Sequence, residues 1–122
     1  MIVVIDDERT FDTDDEIVYA RTSNEGLAVI AKVWTDAVLN YGSTDIYLYL
    51  DHDLGGSDTI MPVVNFLYVT GWVTESVVLR LPDIISGIYV HSQNPTAGDS
   101  IVPVLSKVYK NVERIPLPAL VS

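Results

Sequence analysis

The sequence Ile2-Val3-Val4-Ile5, followed directly by Asp6-Asp7-Glu8, restricts the architecture of this chain more than any other stretch. Continuous β-branched residues, without alternation of apolar and polar positions, are typical of a strand buried on both faces of a parallel sheet. Residues 6–16 hold seven of the 17 acidic residues and show no helical repeat of apolar positions. They therefore predict a solvated loop, and residues 17–20 predict a short second strand.

Helix and strand patterns alternate along the rest of the chain. A capping-box pattern at residues 22–25 opens a helix with one apolar stripe, and Gly42 is its predicted stop. Further strands are predicted at residues 46–50, 88–90 and 112–115, and residues 77–81 suggest one more. Two further helices are predicted with a proline in the first turn: one capped by Asp58 or Thr59 and containing Pro62, the other capped by Asp99 or Ser100 and containing Pro103.

This alternation predicts an α/β fold, a three-layer sandwich on a mostly parallel sheet. The length of 122 residues suits a single domain, placed at residues 1–122. The 17 acidic residues outnumber the 7 Lys and Arg residues and give a net charge of −10, which disfavours duplex nucleic acid or an anionic membrane as a partner. The absence of Cys excludes thiol catalysis and Cys-built zinc sites. With no basic leader and no apolar run long enough to span a bilayer, we expect a cytoplasmic protein.

The loops that follow the first, third and His91-bearing strands carry most of the chemically useful side chains. Right-handed crossovers place such loops at one edge of a parallel sheet, where ligands of these folds bind. Both histidines of the chain belong to this set, which contains Asp6, Asp7, Arg9, Asp51, His52, Asp53, His91, Ser92 and Asn94. The sequence therefore predicts a site at this edge.

His52 and His91 are the candidate catalytic pair. Imidazoles titrate near neutrality, so one histidine can act as the general acid and the other as the general base. Asp51 and Asp53 flank His52 and are candidates for orienting its ring. The alternative interpretation is that both histidines are surface or turn residues without a catalytic role.

Asp6, Asp7 and Asp51 form a candidate site for Mg²⁺ or Mn²⁺, since hard cations prefer carboxylate oxygens. Acidic residues after strands also solvate turns and cap helices, and that alternative stays open.

Four other residues are candidates for binding the substrate: Arg9, Ser92, Asn94 and Gly55. Arg9 can form a bidentate pair with a phosphate or can pair with the surrounding acids. Ser92 and Asn94 can donate hydrogen bonds or form a turn, and Gly55 precedes a helix N-terminus, which favours anions.

Three segments resemble the cyclic-phosphate-processing receiver-like domain family: Val4-Ile5-Asp6-Asp7-Glu8-Arg9, Leu50-Asp51-His52-Asp53-Leu54-Gly55 and Tyr89-Val90-His91-Ser92-Gln93-Asn94-Pro95. The resemblance implies a five-stranded receiver sheet of order 2-1-3-4-5 with a degenerate first helix. Relative to the family, residues 73–87 are expected to be an insertion, which forms a lid, an added hairpin or a dimer contact. Ile115-Pro116 stands where a signalling receiver carries a Lys, which disfavours phosphorelay signalling.

The leading functional hypothesis is a phosphoesterase-like enzyme that processes a cyclic phosphate bond of a nucleotide or nucleotide derivative. The alternative is a degenerate receiver-like module that binds a nucleotide or a protein partner without chemistry. A homodimer is compatible with either hypothesis.

Overall fold

The computed structural model describes residues 1–11, 14, 16–72, 79–91 and 95–115, the side chains of 95–98 excepted. Within these residues the strands are β1 (Ile2–Ile5), β2 (Ile17–Ala20), β3 (Ile46–Asp51), β4 (Ile85–His91) and β5 (Val112–Arg114). The helices are α1 (Ser23–Val38), α2 (Met61–Gly71), α3 (Leu81–Ile84) and α4 (Pro95–Leu105).

The five strands form one all-parallel sheet in the order β2-β1-β3-β4-β5, which confirms the expected receiver-type α/β fold. The register places Val4 beside Tyr19 and Tyr49, and it places Asp51 beside His91. The described part of the connection from β1 to β2 contains no helix, in agreement with the expected degenerate first helix.

The core that the helices share lies on one face of the sheet. Side-chain alternation along the strands places Val3, Ile5, Leu48 and Ile88 on that face. All four are fully buried there, together with apolar residues of the four helices. Helix α1 approaches the sheet closely, since a Cβ placed on Gly26 would lie 2.7 Å from Cδ1 of Ile5.

Local sequence signals explain the start of α1 better than the starts of the later helices. Thr22 is the N-cap, and its hydroxyl accepts the Glu25 amide at 3.1 Å, while the Glu25 carboxylate accepts the amide of Arg21 rather than that of Thr22. The helix ends at Val38, before Asn40 adopts a φ of 64°.

The predicted caps of α2 and α4 are wrong. Ile60 is the N-cap of α2, while the Asp58 carboxylate instead accepts hydrogen bonds from the amide and hydroxyl of Ser23 at the start of α1. Helix α4 begins at Pro95, so Asp99 and Ser100 lie inside it and Pro103 is an internal proline.

The stretch from residue 73 to residue 87 is integrated into the fold where the structure describes it. The predicted strand at residues 77–81 is wrong for its described part, because Leu79 and Arg80 are not extended ladder residues and Leu81 begins α3. Residues 77 and 78 lie outside the described residues. Strand β4 begins at Ile85, three residues before the predicted start, and Leu81 and Ile84 are fully buried.

No described helix combines the length and the apolar character that crossing a bilayer requires.

We expect Gly26→Ala to lower the free energy of unfolding by about 1–2 kcal/mol, because overpacking against Ile5 outweighs the gain in helix propensity. Urea denaturation measures this loss. Ile5→Val removes Cδ1, the atom nearest to the new Cβ. The loss in the free energy of unfolding for the double variant should therefore be smaller, by at least about 0.5 kcal/mol, than the sum of the losses for the two single variants. Additive losses would show that Gly26 is not needed for close packing.

Candidate functional site

Three side chains meet at the carboxyl-terminal edge of the sheet. Asp6 follows β1 directly, whereas Asp51 and His91 are the last residues of β3 and β4 and are register partners. A carboxylate oxygen of Asp6, a carboxylate oxygen of Asp51 and a ring nitrogen of His91 all lie within 4.8 Å of one another. We call these three residues the Asp6–Asp51–His91 cluster.

Asp6 is fully buried, and four donor groups lie against its carboxylate. Oδ1 accepts the amides of Glu8 and Arg9, each at 2.9 Å, and Oδ2 lies 3.2 Å from Nη1 of Arg9 and 3.1 Å from Nε2 of His91. Burial raises the pKa of Asp6, but the hydrogen bonds from His91, from both amides and from Arg9 together hold it well below its usual range. Asp6 is therefore an ionised anchor for the loop that follows β1.

His91 is fully buried, and its ring is oriented by the two carboxylates. Nε2 lies 3.1 Å from Oδ2 of Asp6 and 3.8 Å from Oδ1 of Asp51. Because ionised Asp6 can only accept, this contact assigns the ring proton of the neutral imidazole to Nε2. Nδ1 is buried with no hydrogen-bond partner among the described residues, and it is the nitrogen left to accept a proton.

Asp51 carries the most unusual electrostatic environment of the three. Burial and, after it, the negative charge of Asp6 raise its pKa to about 6, while the charges of His91 and Arg9 act in the opposite direction. Asp51 therefore exchanges a proton close to neutral pH, which a group that takes part in acid–base chemistry requires.

Arg9 joins the two carboxylates. Its Nη1 lies 3.2 Å from Oδ2 of Asp6 and 3.4 Å from Oδ2 of Asp51, and its side chain is 24% exposed. Of the two predicted roles, pairing with acids is the one seen. Nη1 of Arg21 donates to the backbone oxygens of Asp6 and Arg9 and so secures the loop.

His52 and Asp53 lie in the loop that follows β3. The amide of His52 donates to the backbone oxygen of His91 at 3.2 Å, which fixes the two histidine backbones side by side. The ring of His52 is half-buried, and its contacts within the described residues include no hydrogen bond. Asp53 is exposed, and its carboxylate accepts the amide of Gly55 at 3.0 Å, so it shapes the loop.

Asp7 and Gly55 lie next to each other outside the cluster. A Cβ on Gly55, whose φ is +91°, would lie 3.1 Å from Oδ2 of Asp7. The charge of Asp7 still raises the pKa of Asp51. Ser92 and Asn94, the other predicted substrate-binding residues, lie outside the described residues.

The sequence analysis missed the link between Asp6 and His91 and the role of Arg21. It ended the third strand at Leu50 and the His91-bearing strand at Val90, one residue too early. Had both strands been extended by one residue, side-chain alternation would have placed Asp51 and His91 on the same face. Arg21 offered no comparable sequence signal, because its partners are backbone oxygens.

Replacing Asp51 with Asn removes the titration but keeps the size. Because the pKa of Asp51 is raised in the folded protein, the neutral form of Asp51 stabilises the wild type. This contribution is fully present below pH 3.8, the pKa expected for Asp51 in the unfolded chain, and it is lost as pH rises through about 6. The free energy of unfolding of Asp51→Asn, relative to wild type, should therefore increase by about 2–3 kcal/mol from about pH 4 to about pH 7. Urea denaturation without divalent cations measures it.

Asp58→Asn is the control for this titration. Hydrogen bonds from Ser23 lower the pKa of Asp58, so wild type should gain stability over this variant as pH rises, which is the opposite sign. A pH-independent difference between wild type and Asp51→Asn would contradict the interpretation of Asp51.

Comparisons with known proteins identify the family of this chain. Searches of curated proteins and of solved structures found no match. Residues 1–107 match the family described as the cyclic-phosphate processing receiver domain. This match spans most of the 122 residues and includes β1, β3, β4 and the whole cluster. The chain therefore belongs to the cyclic-phosphate processing receiver domain family.

Proposed function

We propose that this domain hydrolyses a cyclic phosphate bond of a nucleotide or nucleotide derivative, with His91 and His52 as the proton-transfer pair. The observation that carries the proposal is the Asp6–Asp51–His91 cluster, in which Asp6 holds Nε2 of a buried histidine and leaves Nδ1 without a partner among the described residues. A carboxylate that orients a histidine fixes its tautomer and stabilises the imidazolium formed when the ring accepts a proton.

The proposed reaction adds one water molecule to the cyclic diester. Nδ1 of His91 accepts a proton as the water oxygen bonds to phosphorus, one ring phosphorus–oxygen bond breaks, and protonated His52 supplies a proton to the leaving oxygen. The product is a phosphomonoester beside a free hydroxyl group. Asp53 positions the loop that carries His52 through its hydrogen bond to Gly55.

Arg9 is the group proposed to stabilise negative charge on the phosphoryl oxygens. Its guanidinium is partly exposed and already lies between two carboxylates, so it can turn one donor toward a bound phosphate. Ser92 and Asn94 follow His91 in the chain and are proposed as additional donors.

A divalent cation, Mg²⁺ or Mn²⁺, is proposed as the cofactor. The carboxylates of Asp6 and Asp51 lie close enough to share one ion, and their oxygens suit either metal. His91 lies within reach of the same ion but is not proposed to bind it, because a ring nitrogen that held the ion could not serve as the base. When bound, the cation would offset the charge of Asp6 and Asp51 and act as a Lewis acid toward the phosphate.

The complete burial of His91 favours a second function, in which the domain binds a nucleotide without cleaving it. A histidine with no exposed surface serves structure or binding unless the substrate displaces what covers it. Recovery of unchanged ligand after binding would support this second function and contradict hydrolysis.

Both histidines are expected to be required for turnover. His91→Asn and His52→Asn should each lower kcat/KM by about 10²–10⁴-fold, the usual contribution of one general acid or base. Release of phosphomonoester from a panel of cyclic mononucleotides and cyclic dinucleotides, with Mg²⁺ or Mn²⁺ present, measures the loss. Asp36→Asn, an exposed carboxylate paired with Lys32, is the matched control and should retain full activity. Full activity in both histidine variants would reject the assignment.

Manganese binding tests the proposed cofactor directly. Mn²⁺ at about 100 times its dissociation constant should raise the free energy of unfolding by about 2.7 kcal/mol. Asp51→Asn should lose this gain, whereas Arg9→Gln should bind Mn²⁺ more tightly because it removes a competing cation from both carboxylates. Electron paramagnetic resonance of free Mn²⁺ gives the binding constants. Equal affinity in wild type and Asp51→Asn would contradict the site.

A further inference from the structure

The face of the sheet opposite the helical core carries a row of tyrosines. Alternation and register place Tyr19, Tyr47, Tyr49 and Tyr89 on this face, and we call these four residues the tyrosine face. All four are half-buried. None of them belongs to the core that the described helices share, and neither does Val4, which is fully buried beneath them.

The aromatic rings form a continuous surface from β1 toward β4. The rings of Tyr49 and Tyr89 have centroids 4.9 Å apart, and Tyr47 stacks on Tyr89 at 6.5 Å with an interplanar angle of 16°. Phe11, from the loop that follows β1, meets Tyr49 edge to face at 4.9 Å. Phe11 therefore packs at one edge of this aromatic surface, beside Tyr49.

Gly87 provides room for these rings. A Cβ at this position would lie 2.9 Å from the hydroxyl oxygen of Tyr89 and 3.1 Å from Cδ1 of Tyr47. The ring of Tyr89 thus leans back along the strand over Gly87. This orientation turns the ring away from His91.

The tyrosine face adjoins the Asp6–Asp51–His91 cluster on the same side of the sheet. Tyr49 and Tyr89 precede Asp51 and His91 by two residues, which corresponds to about 7 Å along a strand. Arg9 and Phe11 belong to the same loop, one beside the cluster and the other beside Tyr49. The residues proposed to bind the phosphate therefore lie next to the aromatic rings of the tyrosine face.

We propose that Tyr89, with Tyr49 and Phe11 beside it, stacks against the base of a nucleotide whose cyclic phosphate lies at Arg9 and the Asp6–Asp51–His91 cluster. This inference rests on the proposed function and assigns the base of its nucleotide to a particular surface. Stacking of bases on aromatic side chains tolerates any base. The net charge of −10 disfavours a polynucleotide or a second copy of the chain as the occupant, whereas one nucleotide adds little repulsion.

The test compares a probe that carries a base with one that lacks it. Cyclic adenosine monophosphate and the cyclic phosphate of methyl riboside are titrated into wild type, Tyr89→Leu and Tyr89→Phe. Tyr89→Leu should weaken binding of the nucleotide by about 5- to 150-fold, the factor expected for one stacking contact, and leave the baseless probe unchanged. Tyr89→Phe should bind both probes within about twofold of wild type, since the ring remains. Tyr41→Leu, which replaces a tyrosine 83% exposed elsewhere, is the matched control.

A spectroscopic measurement on wild type avoids any dependence on variant folding. A base stacked on a tyrosine ring should show upfield shifts of its aromatic protons by nuclear magnetic resonance. Equal weakening of both probes in Tyr89→Leu, or unshifted base protons in a bound nucleotide, would overturn the inference. A dimer that Tyr89→Leu dissociates would also overturn it, because a second copy would then cover the face.

The two proposals fail in distinguishable ways. Nucleotide binding with shifted base protons but without hydrolysis would support stacking and reject the proposed reaction. Hydrolysis of the baseless probe as fast as the nucleotide, without shifted protons, would support the reaction and reject stacking.

Discussion

The buried carboxylate of Asp6 is the interaction on which the site depends. It accepts two amides from its own loop, the guanidinium of Arg9 and the ring of His91, so a single group connects the ends of β1 and β4. A buried carboxylate without such partners would be neutral or would destabilise the fold. With them it remains ionised, and its charge is one reason why the neighbouring Asp51 resists ionisation. One residue thus fixes the histidine tautomer and, together with burial, raises the pKa of its neighbour.

The sheet was predictable because its strands carry a strong and local signal. A β-branched run such as residues 2–5 can be buried on both faces of a parallel sheet, and the alternation of elements then leaves few topologies. The capping signal at Thr22 was reliable for a similar reason, since a cap acts within one turn. The start of α4 could not be predicted from Asp99. A polar residue inside an exposed helical turn gives the same sequence pattern as a polar residue that caps a helix.

The cluster was only partly predictable, because its contacts depend on register rather than on composition. Asp51 and His91 were assigned to loops on the ground that polar residues end apolar runs. In the structure they continue the ladder as partners, and Nε2 of His91 lies 3.1 Å from Oδ2 of Asp6 and 3.8 Å from Oδ1 of Asp51. Sequence reasoning identified the right edge of the sheet and the right residue types. It could not determine which carboxylate would hold which histidine, since that requires side-chain distances.

The loop between β1 and β2 connects the chemistry of the site with the tyrosine face. Parallel strands are usually joined through a helix that covers the sheet, and the described part of this connection has none. Without a helix there, the chain after β1 turns at Asp6, carries Arg9 to the cluster and places Phe11 against Tyr49. Tyrosine suits such a surface because its ring packs while its hydroxyl tolerates water. One loop therefore carries both Arg9, beside the groups proposed to act on the phosphate, and Phe11, beside the rings proposed to hold the base.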